Sequence, residues 1–343
     1  MNAAGGGALR VGVIGLGVGE QHIAGYEAAG GCELIALCDI DGERLAQVGA
    51  RQPGVALTES AEDVLDDPRI DVVSIASYDD DHYEQVKRAL ERGKHVFVEK
   101  PVCLRREHAD ELHSLLVANP QLKLSSNLPL RASPRFRLVK EMLDAGEFGK
   151  PFYLEGDYDY GRLWKITEGW RGELDFYSVV LGGAVHVVDL LLWFTGARVR
   201  EVSAVGNRIA TEGTRFEFND LVVATLSFED GTIAKVGANF ACVHPHYHGV
   251  KVFGTEATFV NALGPATIYR RDGQEVREES VEAAYPGVGK ADLIPSFVAS
   301  IRGQGPPAVT AAEAFEALAV CFAIDAAVES AAPVAVRPFG PDL

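Results

Sequence analysis

A chain of 343 residues, 47% of them hydrophobic, is long enough to bury two cores at about 150 residues per domain. Its formal charge of -17 at pH 7 disfavours nucleic acid and anionic membranes as partners, since both are held mainly through basic surfaces, and no apolar run approaches the roughly 20 residues needed to cross a bilayer. Five cysteines, odd in number and without C-x-x-C spacing, read as reduced and mostly buried thiols, and with no basic and apolar leader the expected compartment is the cytoplasm.

Met1–Ala8 carries no periodic pattern and is expected to be disordered. After it, short apolar runs alternate with amphipathic stretches, which is the rhythm of βαβ units. Leu9–Ile14, Glu33–Leu37, Val72–Ala76 and Val96–Val98 predict strands, and their near-continuous apolar character belongs to parallel strands covered on both faces. Asp81–Arg92 and Leu104–Val117 carry Leu, Val and Ala at helical spacing. Past about Asn127 the rhythm changes. A helix over Pro134–Ala145 leads into alternating strands that include Phe152–Tyr158, Leu221–Phe228, Ile233–Phe240 and Gly249–Phe253, with hairpin signals at Asp230-Gly231 and Asp272-Gly273. Thr310 and Glu313 form a capping-box pattern that opens a terminal helix. The expected fold class is an α/β domain with a parallel sheet over residues 1–126, then an α+β domain with a mostly antiparallel open sheet over residues 127–343.

The segment Val11-Gly-Val-Ile-Gly15-Leu-Gly17-Val-Gly19-Glu-Gln-His22 reads as a strand ending in glycines and opening a helix. Glycines there permit a tight turn and bring backbone N–H groups and a helix N-terminus close to a pyrophosphate. Asp39, 24 residues after Gly15 at the end of the next strand, can accept from a ribose diol. With no arginine immediately beside it, Asp39 favours NAD; Arg44 leaves NADP open, and a helix-capping role for Asp39 is the alternative. Glu99-Lys100-Pro101 follows the apolar run His95–Val98. Proline holds the residue before it extended and cannot continue a strand, so Lys100 is expected where a buried strand ends, the edge at which open α/β sheets bind ligands. A solvated surface turn is the plain alternative. His244, His246 and His248 alternate, which would put three imidazoles on one face of an extended segment. Pro245 disturbs strand pairing there and no Cys or acid accompanies them, so no metal is expected, and a substrate-contacting or interface role falls to His246 or His248.

The glycine loop, Asp39, the run Ser77-Tyr-Asp-Asp-Asp-His82, the segment His95-Val-Phe-Val-Glu-Lys-Pro101 and Gly182-Gly-Ala-Val-His186-Val-Val-Asp189 together resemble the Gfo/Idh/MocA oxidoreductases, nearly over the whole chain. The resemblance implies an N-terminal Rossmann domain and a C-terminal domain for substrate binding and oligomerisation, giving a homodimer or homotetramer. It implies NAD(P)-dependent hydride transfer at a carbinol or carbonyl carbon of a sugar, polyol or sugar nucleotide. Carried onto this chain, it assigns Lys100 and His186 to catalysis, with His186 as general acid/base and Lys100 as the donor that polarises the oxygen, the reversed roles being the alternative. It assigns cofactor contacts to Gly15, Gly17, Val18, Gly19, Asp39, Ser77, Tyr78, His82, Glu99, Lys100, Trp170 and Arg171. Substrate contacts fall to Asn127, Arg131, Arg162, Lys165, Asp189 and His246. In so acidic a chain, positive groups gathered over residues 162–171 suit an anionic or polyhydroxyl ligand, and Trp170 can stack on a sugar or nicotinamide; a solvated loop is the alternative.

This sequence departs from the family pattern at several positions. Gly182 stands where many relatives carry an aspartate, and Asp175 or Tyr177 would have to supply the third polar group, with Tyr177 preferred. The glycine loop is one residue shorter than usual before its histidine. Tyr78 and Asp79 replace a common proline and asparagine. A nucleotide-sensing regulator of the same fold, or an aldose-aldose oxidoreductase with retained cofactor, remain the alternative functions.

Overall fold

The computed structural model describes residues 7–340, so most of the N-terminal stretch expected to be disordered lies outside the described residues. Among the described residues two compact units are present, one of residues 7–129, 289–315 and 339–340, the other of Leu130–Val288 and Glu316–Pro338.

In the first unit, strands β1 (Leu9–Ile14), β2 (Cys32–Cys38), β3 (Ala56–Thr58), β4 (Val72–Ile75), β5 (His95–Val98) and β6 (Leu124–Ser126) alternate with α1 (Leu16–Ala29), α2 (Gly42–Gly49), α3 (Ala61–Leu65), α4 (His82–Glu91) and α5 (Arg106–Ala118). The strands form one parallel sheet in the order β3-β2-β1-β4-β5-β6, the order of a Rossmann dinucleotide-binding sheet. Val72, Val73, Ser74 and Ile75 of β4 are all buried, as expected of a strand covered on both faces. The edge strands β3 and β6 went unpredicted because three residues are too few to display a period.

The second unit opens with α6 (Pro134–Asp144), β7 (Pro151–Asp159) and the short α7 (Trp164–Thr167). A π-helical turn over Val180–Ala184 then leads into α8 (Val185–Thr195). Strands β8 (Val199–Asn207), β9 (Leu221–Phe228), β10 (Ile233–Asn239), β11 (Tyr247–Gly254), β12 (Ala257–Val260), β13 (Ala266–Asp272) and β14 (Glu275–Val281) follow. After these come α9 (Ile294–Ile301), α10 (Ala311–Ser330) and β15 (Val334–Ala335). The sheet runs β14-β13-β12-β11-β7-β10-β9-β8-β15 and is antiparallel throughout except between β7 and β10. Alternation sends Leu154, Gly156 and Tyr158 of β7 inward, and Gly156 lets α8 approach: a Cβ there would lie 3.1 Å from Val187 and Leu191.

Residues 289–315, with α9, group with the first unit. Gly25 of α1 packs against Ala291 and Ile294, where a Cβ would come within 2.8 Å of Ile294. Phe297 meets Phe97 at 5.6 Å, the Ser125 hydroxyl donates to the Val309 carbonyl at 2.8 Å, and Arg302 donates to the Gly31 carbonyl at 2.7 Å. A terminal segment that covers the far face of a sheet has no local signature, because its apolar residues read the same whichever unit they cover.

Candidate functional site

In the first unit the glycine loop performs three distinct tasks. Gly15 has φ +83°, and a Cβ on it would overlap the Ala76 carbonyl and lie 2.5 Å from the Ser77 nitrogen, so only glycine makes this turn. A Cβ on Gly17 would meet nothing nearer than the Arg44 guanidinium at 3.8 Å, which leaves the loop open to a ligand. Gly19 lets α1 close on the sheet, since a Cβ there would lie 2.8 Å from Val13. The shortened loop therefore retains turn, open approach and helix packing. Gly17 and Val18 contribute the N–H groups of the first turn, where the helix dipole favours negative charge.

Asp39 is buried at the carboxyl edge of the sheet. Its Oδ2 accepts from the Leu16 N–H at 2.7 Å and its Oδ1 from the Asp41 N–H at 2.8 Å, while Arg44 Nη1 lies 3.6 Å from Oδ2. It does not cap α2; Asp41 does, accepting from the Glu43 and Arg44 N–H groups. Asp39 thus joins the glycine loop to the end of β2, where a ribose would meet it. On the same edge, Asp79 is buried and its Oδ2 has no hydrogen-bond partner among the described residues. A sterically enforced cradle, first-turn donors and acceptors beside it together fit a bound dinucleotide.

Two expected cofactor residues are engaged by the protein itself. His82 is fully buried, with Nδ1 on the Pro101 carbonyl at 2.7 Å and Nε2 facing the Ser77 carbonyl at 3.3 Å, so it ties together the loops that follow β4 and β5. Glu99 is 6% exposed, within 3.1 Å of Lys290 Nζ and 3.4 Å of His22 Nε2. Burial works to raise its pKa, but Lys290, His22 and Lys100 outweigh it and hold Glu99 well below the usual carboxylate range. Asn127, expected at the substrate, is fully buried and donates to Glu99 at 2.8 Å and to the Lys290 carbonyl at 3.0 Å. Lys290 escaped the sequence reading because 191 residues separate it from Glu99. Lys100 is partly exposed where β5 ends, followed by a cis bond to Pro101; Ser77 donates to Gln85 and Tyr78 is exposed.

In the second unit, imidazoles gather around Tyr158. His186 lies in the first turn of α8 with its ring 6.0 Å from Tyr158 in near-parallel stacking. His248 of β11 is in register with Tyr158 of β7, and its ring centre lies 5.5 Å from Tyr158, 4.9 Å from His246 and 6.2 Å from His186. Burial, then Tyr160 and Tyr177, push the Tyr158 phenol well above its ordinary pKa. Burial, then His246, pull His248 down to about 3, so its ring is neutral at pH 7. His244 is exposed and turns back on the Pro245 carbonyl, so the three imidazoles do not share one face. Among the described residues no group of three or more His, Cys, Asp or Glu could hold a metal ion.

Tyr177 is 2% exposed, edge-on to Phe216 and Phe240, and its ring lies over Gly182. A Cβ on Gly182 would overlap the Tyr177 hydroxyl and lie 2.6 Å from Cζ, so the phenol fills the space that a side chain at 182 would take. Arg131 and Asp189, expected at the substrate, are both buried and bound to each other, with Arg131 Nη2 to Asp189 Oδ1 at 2.6 Å and Nε to Oδ2 at 3.0 Å. Each charge thus faces an opposite one within the same unit. Over residues 162–171, Arg162 stacks on Tyr160 at 5.4 Å, Lys165 on Trp164 at 4.6 Å and Arg171 on Trp170 at 4.4 Å. Arg215, unforeseen from sequence, fastens this loop through Glu173 and the Thr167 and Gly169 carbonyls. Lys100 belongs to the first unit, and His186, His246, His248 and Tyr177 to the second.

The family model described as "Oxidoreductase family, NAD-binding Rossmann fold" matches residues 9–125, and the "GFO/IDH/MocA C-terminal domain" matches residues 136–260. The chain is 28% identical over 337 residues to inositol 2-dehydrogenase 3 of Saccharopolyspora erythraea, covering 96% of each protein. It is 24% identical over 339 residues to myo-inositol 2-dehydrogenase of Thermotoga maritima, covering 94% of this chain and 96% of that protein. A solved levoglucosan dehydrogenase, in complex with NADH and levoglucosan, shares the fold with a TM-score of 0.83 at 21% identity, over 96% of this chain and 100% of that one. No helix among the described residues is long and apolar enough to cross a membrane.

Proposed function

The chain belongs to the Gfo/Idh/MocA oxidoreductases and carries their NAD-binding Rossmann domain, and from this we propose that it is an NAD-dependent dehydrogenase of a polyol or sugar. The observation that carries the substrate class is the cluster of His186, His246 and His248 around Tyr158. It presents imidazole and phenol groups, His248 held neutral at pH 7 by burial, and such donors and acceptors suit hydroxyl groups. The inositol dehydrogenases among the relatives support the same class.

NAD, when bound, supplies the hydride acceptor. The protein has to manage the hydroxyl proton and the developing charge on oxygen. His186 is assigned as the general base that takes the proton and returns it in the reverse direction. Lys100 is assigned as the cationic donor that stabilises the oxygen as it becomes an alkoxide. Tyr177, against Gly182, is assigned as the further polar group of the second unit. The basic, aromatic loop of Arg162, Lys165 and Arg171 favours a second reading, a sugar nucleotide whose diphosphate it would bind; one relative is a UDP-N-acetylglucosamine 3-dehydrogenase.

The test is a panel of inositols, sugars, sugar acids and UDP-sugars assayed for NAD reduction, with Lys100→Ala and His186→Ala in parallel. Turnover of a polyol or sugar is expected, with kcat lowered at least 100-fold in each variant while NAD binding by His186→Ala is kept. Full activity in both variants would overturn the catalytic assignment. A panel with no turnover by a protein that binds NAD would favour a regulator.

A further inference from the structure

His248 is held by Tyr285 at two points. The hydroxyl oxygen of Tyr285 lies 2.7 Å from the His248 backbone nitrogen and 2.9 Å from its Nδ1. The backbone N–H can only donate, so the phenol oxygen accepts from it. The phenol proton then needs an acceptor, and Nδ1 offers one at 2.9 Å, while the oxygen of the neighbouring Asn261 is taken by Arg135. Nδ1 is therefore unprotonated, and a neutral ring so held carries its proton on Nε2, at the edge away from Tyr285. Asn261 reinforces the arrangement by donating to the His248 carbonyl at 2.8 Å, and Arg135 Nη1 fixes the Asn261 oxygen at 3.0 Å.

Resting on the dehydrogenase reading above, we propose that His248 is a specificity-determining residue whose fixed Nε2–H donates to a substrate hydroxyl adjacent to the one that His186 deprotonates. The rings of His186 and His248 are perpendicular with centres 6.2 Å apart. That separation suits two vicinal hydroxyl oxygens about 3 Å apart, each reached by a hydrogen bond of about 2.8 Å. A donor that cannot change tautomer discriminates strongly: a substrate lacking the neighbouring hydroxyl leaves a buried N–H without an acceptor. The preferred substrate class is thus a vicinal diol in a ring, not an isolated secondary alcohol.

Two measurements test this. Nitrogen-15 NMR of the imidazoles at pH 7 should report protonated Nε2 and bare Nδ1 for His248 in the wild type, and a tautomer mixture in Tyr285→Phe. Kinetics then use the panel substrate turned over best, beside its analogue lacking one vicinal hydroxyl. His248→Leu should lower kcat/KM for the diol 10- to 100-fold, mostly through KM, and leave the analogue within about threefold; His248→Gln, which keeps an N–H near Nε2, should recover most of the loss. An Nδ1-protonated His248, or unchanged diol kinetics in His248→Leu, would overturn the proposal and leave the dehydrogenase reading intact. Absence of turnover in the wild type would overturn both.

Discussion

Adding one methyl group at Gly182 should disturb both the stability and the chemistry of the second unit, and its size follows from the packing of Tyr177. A Cβ at that position would overlap the Tyr177 hydroxyl and stand 2.6 Å from Cζ, against an ordinary contact of about 3.5 Å. Something must move by about 1 Å. Tyr177 has little room to retreat, because it is buried with Phe216 and Phe240 edge-on at 5.9 and 6.1 Å. Overpacking of this kind costs about 1–3 kcal/mol, and the burial of Tyr177 between Phe216 and Phe240 places Gly182→Ala near the upper end. Tyr177→Phe alone should cost about 1 kcal/mol, and in the alanine background it should return at least that much by removing the overlapping oxygen. The four proteins of this cycle are compared by urea unfolding, followed by far-UV circular dichroism and by tryptophan fluorescence. Gly182→Ala should also lose kcat if Tyr177 serves the reaction. A variant within about 0.5 kcal/mol of wild type, or strict additivity with Tyr177→Phe, would refute the reasoning.

Arg131→Met or Asp189→Leu alone should destabilise by about 3–5 kcal/mol because each leaves a buried charge uncompensated, whereas the double variant should recover most of the loss with near-normal KM; a raised KM at unchanged stability would instead mark a substrate contact. Asp325 of α10 accepts from the Ser178 hydroxyl at 2.9 Å, and burial lifts its carboxyl to about 7. An unfolded aspartate releases its proton near pH 4. Both states hold the proton below that, the folded state alone holds it between about 4 and 7, and both have released it above 7. Stability is therefore lost as pH rises through that window, so Asp325→Asn should gain on wild type between pH 4 and 7, by on the order of 4 kcal/mol at most, and no further above it; a constant difference in urea unfolding across that range would exclude the effect. Lys290→Met removes the nearest cation from Glu99 and should cost about 2 kcal/mol in the same assay, with Glu99→Gln in the same chain restoring part of it.

Local features were legible wherever one residue type enforces one geometry. The Asp230-Gly231 and Asp272-Gly273 signals are the turns of the antiparallel pairs β9–β10 and β13–β14, with both glycines at positive φ. The Thr310 hydroxyl accepts from the Glu313 N–H at 3.2 Å while Glu313 accepts from the Thr310 N–H at 2.8 Å, a reciprocal cap readable from two letters. Gly15 and Asp39 sit as their spacing implied. Charge was the poorer guide. Arg131, Asp189, Glu99 and His82 carry the residue types that bind ligands, yet their partners lie on distant parts of the same chain, and nothing local distinguishes a carboxylate awaiting a ligand from one already neutralised. The π-helical turn before α8 was equally hidden, because its glycines are explained by the rings of Tyr177, Tyr158 and Phe240 packed against them.

The return of residues 289–315 bears on how the chain is made. Ala291, Ile294, Phe297 and Val309 all pack on or hydrogen-bond to elements completed before residue 130, so the nucleotide-binding unit cannot finish its core as it leaves the ribosome. It must wait, with Gly25 and Phe97 uncovered, while some 160 residues of the other unit are synthesised. At about 5–20 residues per second, that interval lasts roughly 8–30 seconds. A fragment ending at residue 126 would stay in that waiting state permanently, so its aggregation would reveal a missing lid on the sheet and say nothing about the intrinsic stability of the dinucleotide fold.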